Sequence, residues 1–466
     1  MLGFLICYQT KQAYPVSQVV ILMVMGEKMI LELLDKAQGV LKRNDRGTWT
    51  VPASDLYPHQ WLWDSCFIAI GQRHINIKRA QTELESLLRG QWDNGMLAHI
   101  IFAPGDNYSR DRDLWNSRVN PQAPRAIATS GLTQPPMIAE AMIRIGEKLE
   151  PTERRDWYKK LLPALINYHQ WLYGERDPHG SGLITVVHPY ETGLDDSPPW
   201  IISIRRYCWP WWVRLAGVLN TGWLFNLFRR DTGRIPAGQR MSNIESLAYW
   251  YSISRLRRLA YDSGRILKRE KLLVEDLAFN CISIRANAHL RSIANEAGQK
   301  IPEKLSSSMK KAETALENLW DDDSTCYFSR DVTSKQLIKE PTIAALLPLY
   351  AGCISRQRAE QLVRLLRDGD LFKLPYPIPS LPKTSSYFNP QKYWQGPSWL
   401  NTNWLIIDGL MRYGYRVEAE HIKKTSLELV AKNGPREYFN PITARGLGAA
   451  NFSWTAALTI DLLKAN

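Results

Sequence analysis

From Glu27 to the end of the chain, apolar residues recur at helical spacing, and the alternation that marks strands is almost absent. A chain whose apolar faces repeat every three to four residues must bury them helix against helix, which fixes the fold class before any composition is counted. In the stretch 303–319, Leu305, Met309, Ala312, Leu316 and Leu319 step by 4, 3, 4 and 3 and so share one face. Ile354, Ala359, Leu362, Leu365 and Leu366 do the same. Similar stretches lie near 28–43, 78–90, 135–148, 153–172, 243–262, 271–293, 340–351, 396–412, 415–432 and 452–464, each closed by a Gly, a Pro or a polar turn. About a dozen helices joined by alternately short and long loops suit an all-α toroid better than a four-helix bundle.

At 466 residues the chain has the length of about three average domains, yet toroids commonly exceed that as one unit. No low-complexity segment or Gly/Ser hinge divides it, so residues 27–466 are expected to form a single domain. Apolar residues at 45% and charged residues at 23% exclude a disordered, collagen-like or polytopic membrane protein. The net charge of +13 raises the question of nucleic acid, but Lys and Arg are scattered in short pairs such as Arg205-Arg206 and Lys310-Lys311, and no nucleic-acid-binding motif accompanies them. The six cysteines are isolated, without CxxC pairs or Cys/His groupings of metal-site spacing, which points to a reducing compartment and to no metal. The early run "VVILMVM" is far below the roughly 18–20 residues of a membrane span. It also lacks the flanks of an export signal, so residues 1–26 are expected to be a dispensable, disordered extension ahead of a later start such as Met25 or Met29, and the protein is expected to be cytoplasmic.

The 18 Trp and 20 Tyr outnumber the 11 Phe, and rings that carry a polar handle suit a carbohydrate cleft. They gather in four loops. In "DLYPHQWLWDSCF", Tyr57, Trp61 and Trp63 surround Asp64; an apolar wall ending in a carboxylate fits a pyranose, and a buried aromatic knot is the alternative. The stretch 90–134 carries Asn94, His99, Tyr108 and Gln134, polar groups able to face a ligand, although a lone His is more often structural. In "HPYETGLDDSPPW", Glu191, Asp195 and Asp196 crowd together, so repulsion and partial burial would raise the pKa of one of them; the plainer reading is an acidic turn capping a helix. The fourth region, "FNPQKYWQGPSWLNTNW" followed by "PREYFNPITARGLGAANFSWTAA", places Glu437 among Tyr438, Phe439 and Trp454. Two acids on separate segments of an aromatic cleft are what glycoside hydrolysis requires.

Taken in order, "YPHQWLWDSCF", "GLDDSP", "YWQGPSW" and "EYFNPITARGLGAANFSWTAA" resemble glycoside hydrolase family 63, above all its bacterial mannosylglycerate and glucosylglycerate hydrolases, over about residues 27–466. The resemblance implies an (α/α)6 barrel, an inverting mechanism and no cofactor. It assigns Asp195 of "GLDD" as general acid and Glu437 of "EYFNP" as general base, with Asp196 in the place of an Asn. It assigns sugar contacts to Tyr57, Trp61, Trp63, Asp64, Gln134, Gly193, Trp394 and Trp399, and places Tyr108 and Tyr393 beside the leaving group.

Between 200 and 230 the resemblance thins, and Trp209, Trp211, Trp212 and Trp223 fit a lid or an interface, a homo-oligomer included. Relatives bind the glycerate carboxylate through an Arg beyond the acid motif; Arg229, Arg230 and Arg234 compete for that part, and Arg230 is the choice here. The expected partner is therefore a small carbohydrate, best a glucosyl- or mannosylglycerate, with neutral α-glucosides or silent sugar binding as alternatives. Neither nucleic acid nor membrane is an expected partner.

Overall fold

The computed structural model describes residues 26–105, 108–219, 221, 223, 229 and 231–464, with paired two-residue strands at 5–6 and 13–14. The rest of the expected extension 1–26, and Arg230, lie outside the described residues.

Six helices close a ring. They are α2 (Leu62–Gln72), α4 (Ile138–Gly146), α9 (Leu277–Ala297), α11 (Pro348–Ala351), α13 (Leu400–Tyr413) and α15 (Ser453–Lys464), each packed on the next and α15 back on α2. An outer helix flanks each of them: α1 (Glu27–Asn44) lies on α15, α3 (Ile77–Leu88) on α2, and α5 (Pro151–Glu175) on α4 and α9. Likewise α10 (Glu303–Ala315) lies on α9, α12 (Arg356–Arg367) on α11 and α14 (Arg416–Asn433) on α13. The chain is an (α/α)6 toroid, as the periodicity and the resemblance led us to expect.

Burial accounts for part of what the sequence revealed. The outer α1, α3, α10 and α12 keep one face in water and carry the apolar stripe that reveals them. Every residue of α2 is buried, as are all of α15 up to Leu463, because inner helices meet protein on every side. Without a solvated face α2 shows no periodicity, and the stretch 55–67 read as a loop now starts a helix at Leu62. Inner helices also approach closely: a Cβ on Gly71 of α2 would meet the backbone of Ala457 in α15 at 2.3 Å. The continuous helix expected over 340–351 is instead a 3-10 turn at Ile343–Leu346 followed by α11, since Pro348 supplies no amide to carry the first helix onward.

Connections from inner to outer helices are short, such as 73–76 after α2, 147–150 after α4 and 352–355 after α11. Those leading into inner helices are long: 45–61, 89–137, 176–276, 316–347, 368–399 and 434–452. Five of the long ones meet over the N-terminal end of the inner ring. The longest contains α6 (Pro198–Tyr207), α7 (Trp211–Val218) and α8 (Asn243–Arg258), the last opened by a capping box between Ser242 and Glu245. On α7 the Trp cluster is not buried: Trp211 is 74% exposed, and Trp223 beyond it 62%. Among the described residues, no helix is long and apolar enough to cross a membrane.

Candidate active site

The long connections enclose a cavity of about 410 Å³, within the range of small-ligand sites. Its first wall follows from a two-stranded clip. Strand β1 (Gln60–Trp61) pairs antiparallel with β2 (Ile100–Ile101), which sets Trp61 at the N-cap of α2 and Trp63 and Asp64 in its first turn. A carboxylate there is favoured by the free amides of the helix start, yet burial, reinforced by the charge of Glu437, pushes the Asp64 carboxyl well above its ordinary value. Gln134 joins this wall by accepting from the Trp63 amide at 3.4 Å. Gly193 closes against it: its φ is +71°, and a Cβ would meet the Trp63 ring at 2.2 Å.

The acidic run that looked like one cluster is divided by the fold. Glu191 is buried in a bidentate pair with Arg176, at 3.0 and 2.9 Å, and also accepts from the Val187 amide at 2.9 Å. It is not part of the cavity wall. Asp196 is fully buried, accepts from Gln395 Nε2 at 3.0 Å, and is pushed far up by burial. Of the three acids, Asp195 alone lines the cavity. Burial lifts its pKa from 3.8 to about 7; its own backbone amide and Arg240 oppose the lift, and Glu437 adds to it. Repulsion from Glu437 across the cavity thus replaces the repulsion expected from sequence neighbours. The Tyr249 hydroxyl of α8 donates to the Asp195 carbonyl and fixes the turn.

Also in the cavity wall, Glu437 lies on β3 (Arg436–Phe439), paired with β4 (Gly446–Ala450). The register slips between Arg436 and Tyr438, and a bulge of this kind re-aims the side chain it carries. Both carboxylate oxygens are engaged. Oε1 accepts from Tyr57 Oη at 3.0 Å and Arg240 Nη1 at 3.1 Å, and Oε2 from Arg240 Nη2 at 2.6 Å and the Ala449 amide at 2.8 Å. Tyr393 completes this side, its ring centre 5.1 Å from the Arg240 guanidinium carbon.

Of the residues singled out in the sequence, Tyr57, Trp61, Trp63, Asp64, Gln134, Gly193, Asp195, Tyr393 and Glu437 share this cavity. Trp394 and Trp399 do not reach it. They stack on each other at 3.8 Å, and Trp399 Nε1 donates to the Tyr393 carbonyl, so they buttress Tyr393 from behind. Trp399 is the N-cap of α13 and is buried with Trp394. Tyr108 lies outside the wall, edge-on to His59 at 5.2 Å. Asn94 holds Glu175 and the Met96 amide, a purely structural role. His99 does line the cavity, but burial drives its pKa down to about 3 and Ser130 Oγ sits 2.5 Å from Nδ1, the arrangement of a neutral structural histidine. Arg229 lines the cavity with its guanidinium held by Asp231, the Met241 carbonyl and Asn243, while Arg234 is exposed. The residue that sequence reasoning missed is Arg240. Nothing local marks it among 59 basic residues; only the fold brings it to a glutamate almost two hundred positions away.

Two carboxyl groups in the wall of one aromatic cavity, Asp195 with its pKa lifted by burial to about 7 and Glu437 paired with an arginine, are a set of groups able to do acid and base work at a sugar acetal. Comparison with known proteins gives the family. A family model described as the mannosylglycerate hydrolase MGH1-like glycoside hydrolase domain matches residues 57–455. The chain belongs to this family. It is a glycoside hydrolase, 38% identical to the mannosylglycerate hydrolase of Thermus thermophilus over 91% of this chain and 99% of that one. The glucosylglycerate hydrolase of Mycolicibacterium hassiacum is 31% identical over 93% and 98% of the two chains. A crystal structure of the family 63 mannosylglycerate hydrolase from Thermus thermophilus with Tris and D-glycerate superposes on this hydrolase with a TM-score of 0.83, covering 92% of this chain and 99% of that one at 36% identity. Among the described residues no group of three His, Cys, Asp or Glu side chains is placed to hold a metal ion.

Proposed function

We propose that this glycoside hydrolase cleaves the α-glycosidic bond of a hexosyl glycerate, mannosylglycerate or glucosylglycerate, with inversion at the anomeric carbon. The observation that carries the reading is the placement of two carboxyls in the wall of one aromatic cavity: Asp195, whose pKa burial lifts to about 7, and Glu437, held by the Arg240 guanidinium. Asp195 donates its proton to the glycosidic oxygen as the C–O bond breaks. Glu437 takes a proton from the water that adds to the opposite face, and the hexose leaves as the β-anomer. An inverting pair of carboxyls stands about 6.5–9.5 Å apart to admit that water. Trp61 and Trp63 offer rings to the C–H face of the sugar, and Asp64 and Gln134 accept from or donate to its hydroxyls.

The identities with mannosylglycerate and glucosylglycerate hydrolases support a glycerate aglycone over a neutral one. The test is a comparison of kcat/KM for mannosylglycerate, glucosylglycerate and the methyl α-glycosides of both hexoses. A preference for the glycerates of at least about a hundredfold is expected, the scale of one charge-assisted carboxylate contact. Equal rates on the methyl glycosides would replace this reading with that of a neutral α-glycosidase.

A further inference from the structure

The hydrogen bonds on Glu437 create a conflict with its role as a base. A carboxylate offers about four lone-pair sites, and four donors already occupy them: two from Arg240, one from Tyr57 and one from Ala449. The attacking water must donate to this carboxylate to be deprotonated, so one donor has to leave first. Ala449 cannot, since its amide is part of β4. Tyr57 is wedged edge-on between Trp61 and Phe452, each at 6.0 Å. Arg240 is different. It enters from the loop ahead of α8, and apart from Glu437 its guanidinium lies against the rings of Tyr57 and Tyr393. Its Nε–H is buried and has no acceptor among the described residues, so this donor is unused and can serve a second carboxylate once the guanidinium turns.

We propose that Arg240 is a latch that holds Glu437 closed in the empty enzyme and is drawn off it by the carboxylate of the substrate's own glycerate. The inference rests on the reading of Glu437 as the base. An anionic aglycone offers Arg240 a replacement partner, and as the guanidinium turns toward it Glu437 regains lone pairs for the water. A neutral glycoside leaves the latch shut. Discrimination against neutral substrates then falls on kcat, whereas a simple carboxylate-binding pocket would place it on KM. Arg240 acts here as a positioning residue for Glu437.

Glycosyl fluorides separate this idea from simple recognition. Fluoride leaves as the anion without needing the Asp195 proton, while water adds to the anomeric carbon and gives its proton to Glu437; the aglycone site stays empty for free D-glycerate. For the wild-type protein, hydrolysis of α-mannosyl or α-glucosyl fluoride is expected to be slow and to accelerate at least about tenfold on addition of D-glycerate, the scale of releasing one charged hydrogen bond. Arg240→Met is expected to release fluoride at the faster rate without glycerate and to gain nothing from it. Arg240→Lys, which keeps the charge but cannot form the two-pronged contact, should fall between. Each protein is compared at its own pH optimum, because losing the Arg240 charge also raises the Asp195 carboxyl. Inhibition or no change with glycerate in the wild type overturns the latch, as does a parallel loss of fluoride and glycerate-glycoside hydrolysis in both variants. A wild-type protein inactive on every glycoside and fluoride would overturn the underlying reading as well, and is told apart by that total silence.

Discussion

Replacing Asp195 by asparagine tests two consequences of one proton. Folding lifts the Asp195 pKa from 3.8 to about 7, roughly three units at about 1.4 kcal/mol each, or about 4 kcal/mol of linkage. The residue is only partly buried, so about half of that, about 2 kcal/mol, should be measurable. The sign is fixed by the direction of the shift. Because the folded state holds the proton more tightly, the stabilisation is complete below about pH 4 and is lost as pH rises through about 7. The carboxamide that replaces the carboxyl is neutral at every pH. The Asp195→Asn variant should therefore melt with the wild type at pH 4 and about 2 °C above it at pH 8, for a chain of this size. Its kcat on the glycerate glycoside should fall by a factor on the order of 10²–10⁴. Wild-type activity should decline on the alkaline side with an apparent pKa near 7. A melting difference that does not vary with pH would show that the proton is not held on Asp195, and a variant retaining most of its kcat would show that this proton is not used.

Glu437→Gln keeps the shape of the side chain but removes its basicity, so kcat should fall by a factor on the order of 10²–10⁴ with KM little altered in steady-state assays; a change confined to KM would contradict its role. Glu191→Gln breaks a buried bidentate pair with Arg176, and should cost about 3–5 kcal/mol in denaturant titrations while leaving both limbs of the pH–rate profile in place; a displaced limb would mean that Glu191 does participate. Gly193→Ala forces a Cβ to within 2.2 Å of the Trp63 ring at a positive φ, costing about 2–4 kcal/mol and raising KM as the sugar wall is displaced. Unchanged melting and KM would show that this close approach is not maintained.

The fold was legible where water leaves a mark. Helices with a solvated face, such as α3 and α12, announce themselves through the spacing of Leu84 and Leu87 or of Ala359, Leu362 and Leu366. Helix α2 did not, because burial on every side erases the polar half of the pattern, although the equally buried α15 was still read over 452–464; α6 was missed as well. The site was legible through ordered motifs rather than through local chemistry. Glu191, Asp195 and Asp196 are equivalent in the sequence, and only packing distinguishes the ion-paired, the cavity-facing and the sequestered carboxyl. The resemblance assigned sugar contacts to Trp394 and Trp399 and placed Tyr393 beside the leaving group, and in the structure Tyr393 lines the cavity while Trp394 and Trp399 stack behind it. Arg240 lay beyond reach, since a counter-ion recruited from a distant loop leaves no periodicity and no motif.

The central claim is a single displacement governed by Asp195 and Glu437, and the stereochemistry of the first product tests it most directly. Proton NMR of the enzyme mixed with mannosylglycerate, and separately with glucosylglycerate, distinguishes the free hexose anomers before mutarotation equilibrates them. A single displacement releases the β-anomer first. Early release of the α-anomer would contradict it, because retention requires a covalent intermediate and a nucleophile in place of a base.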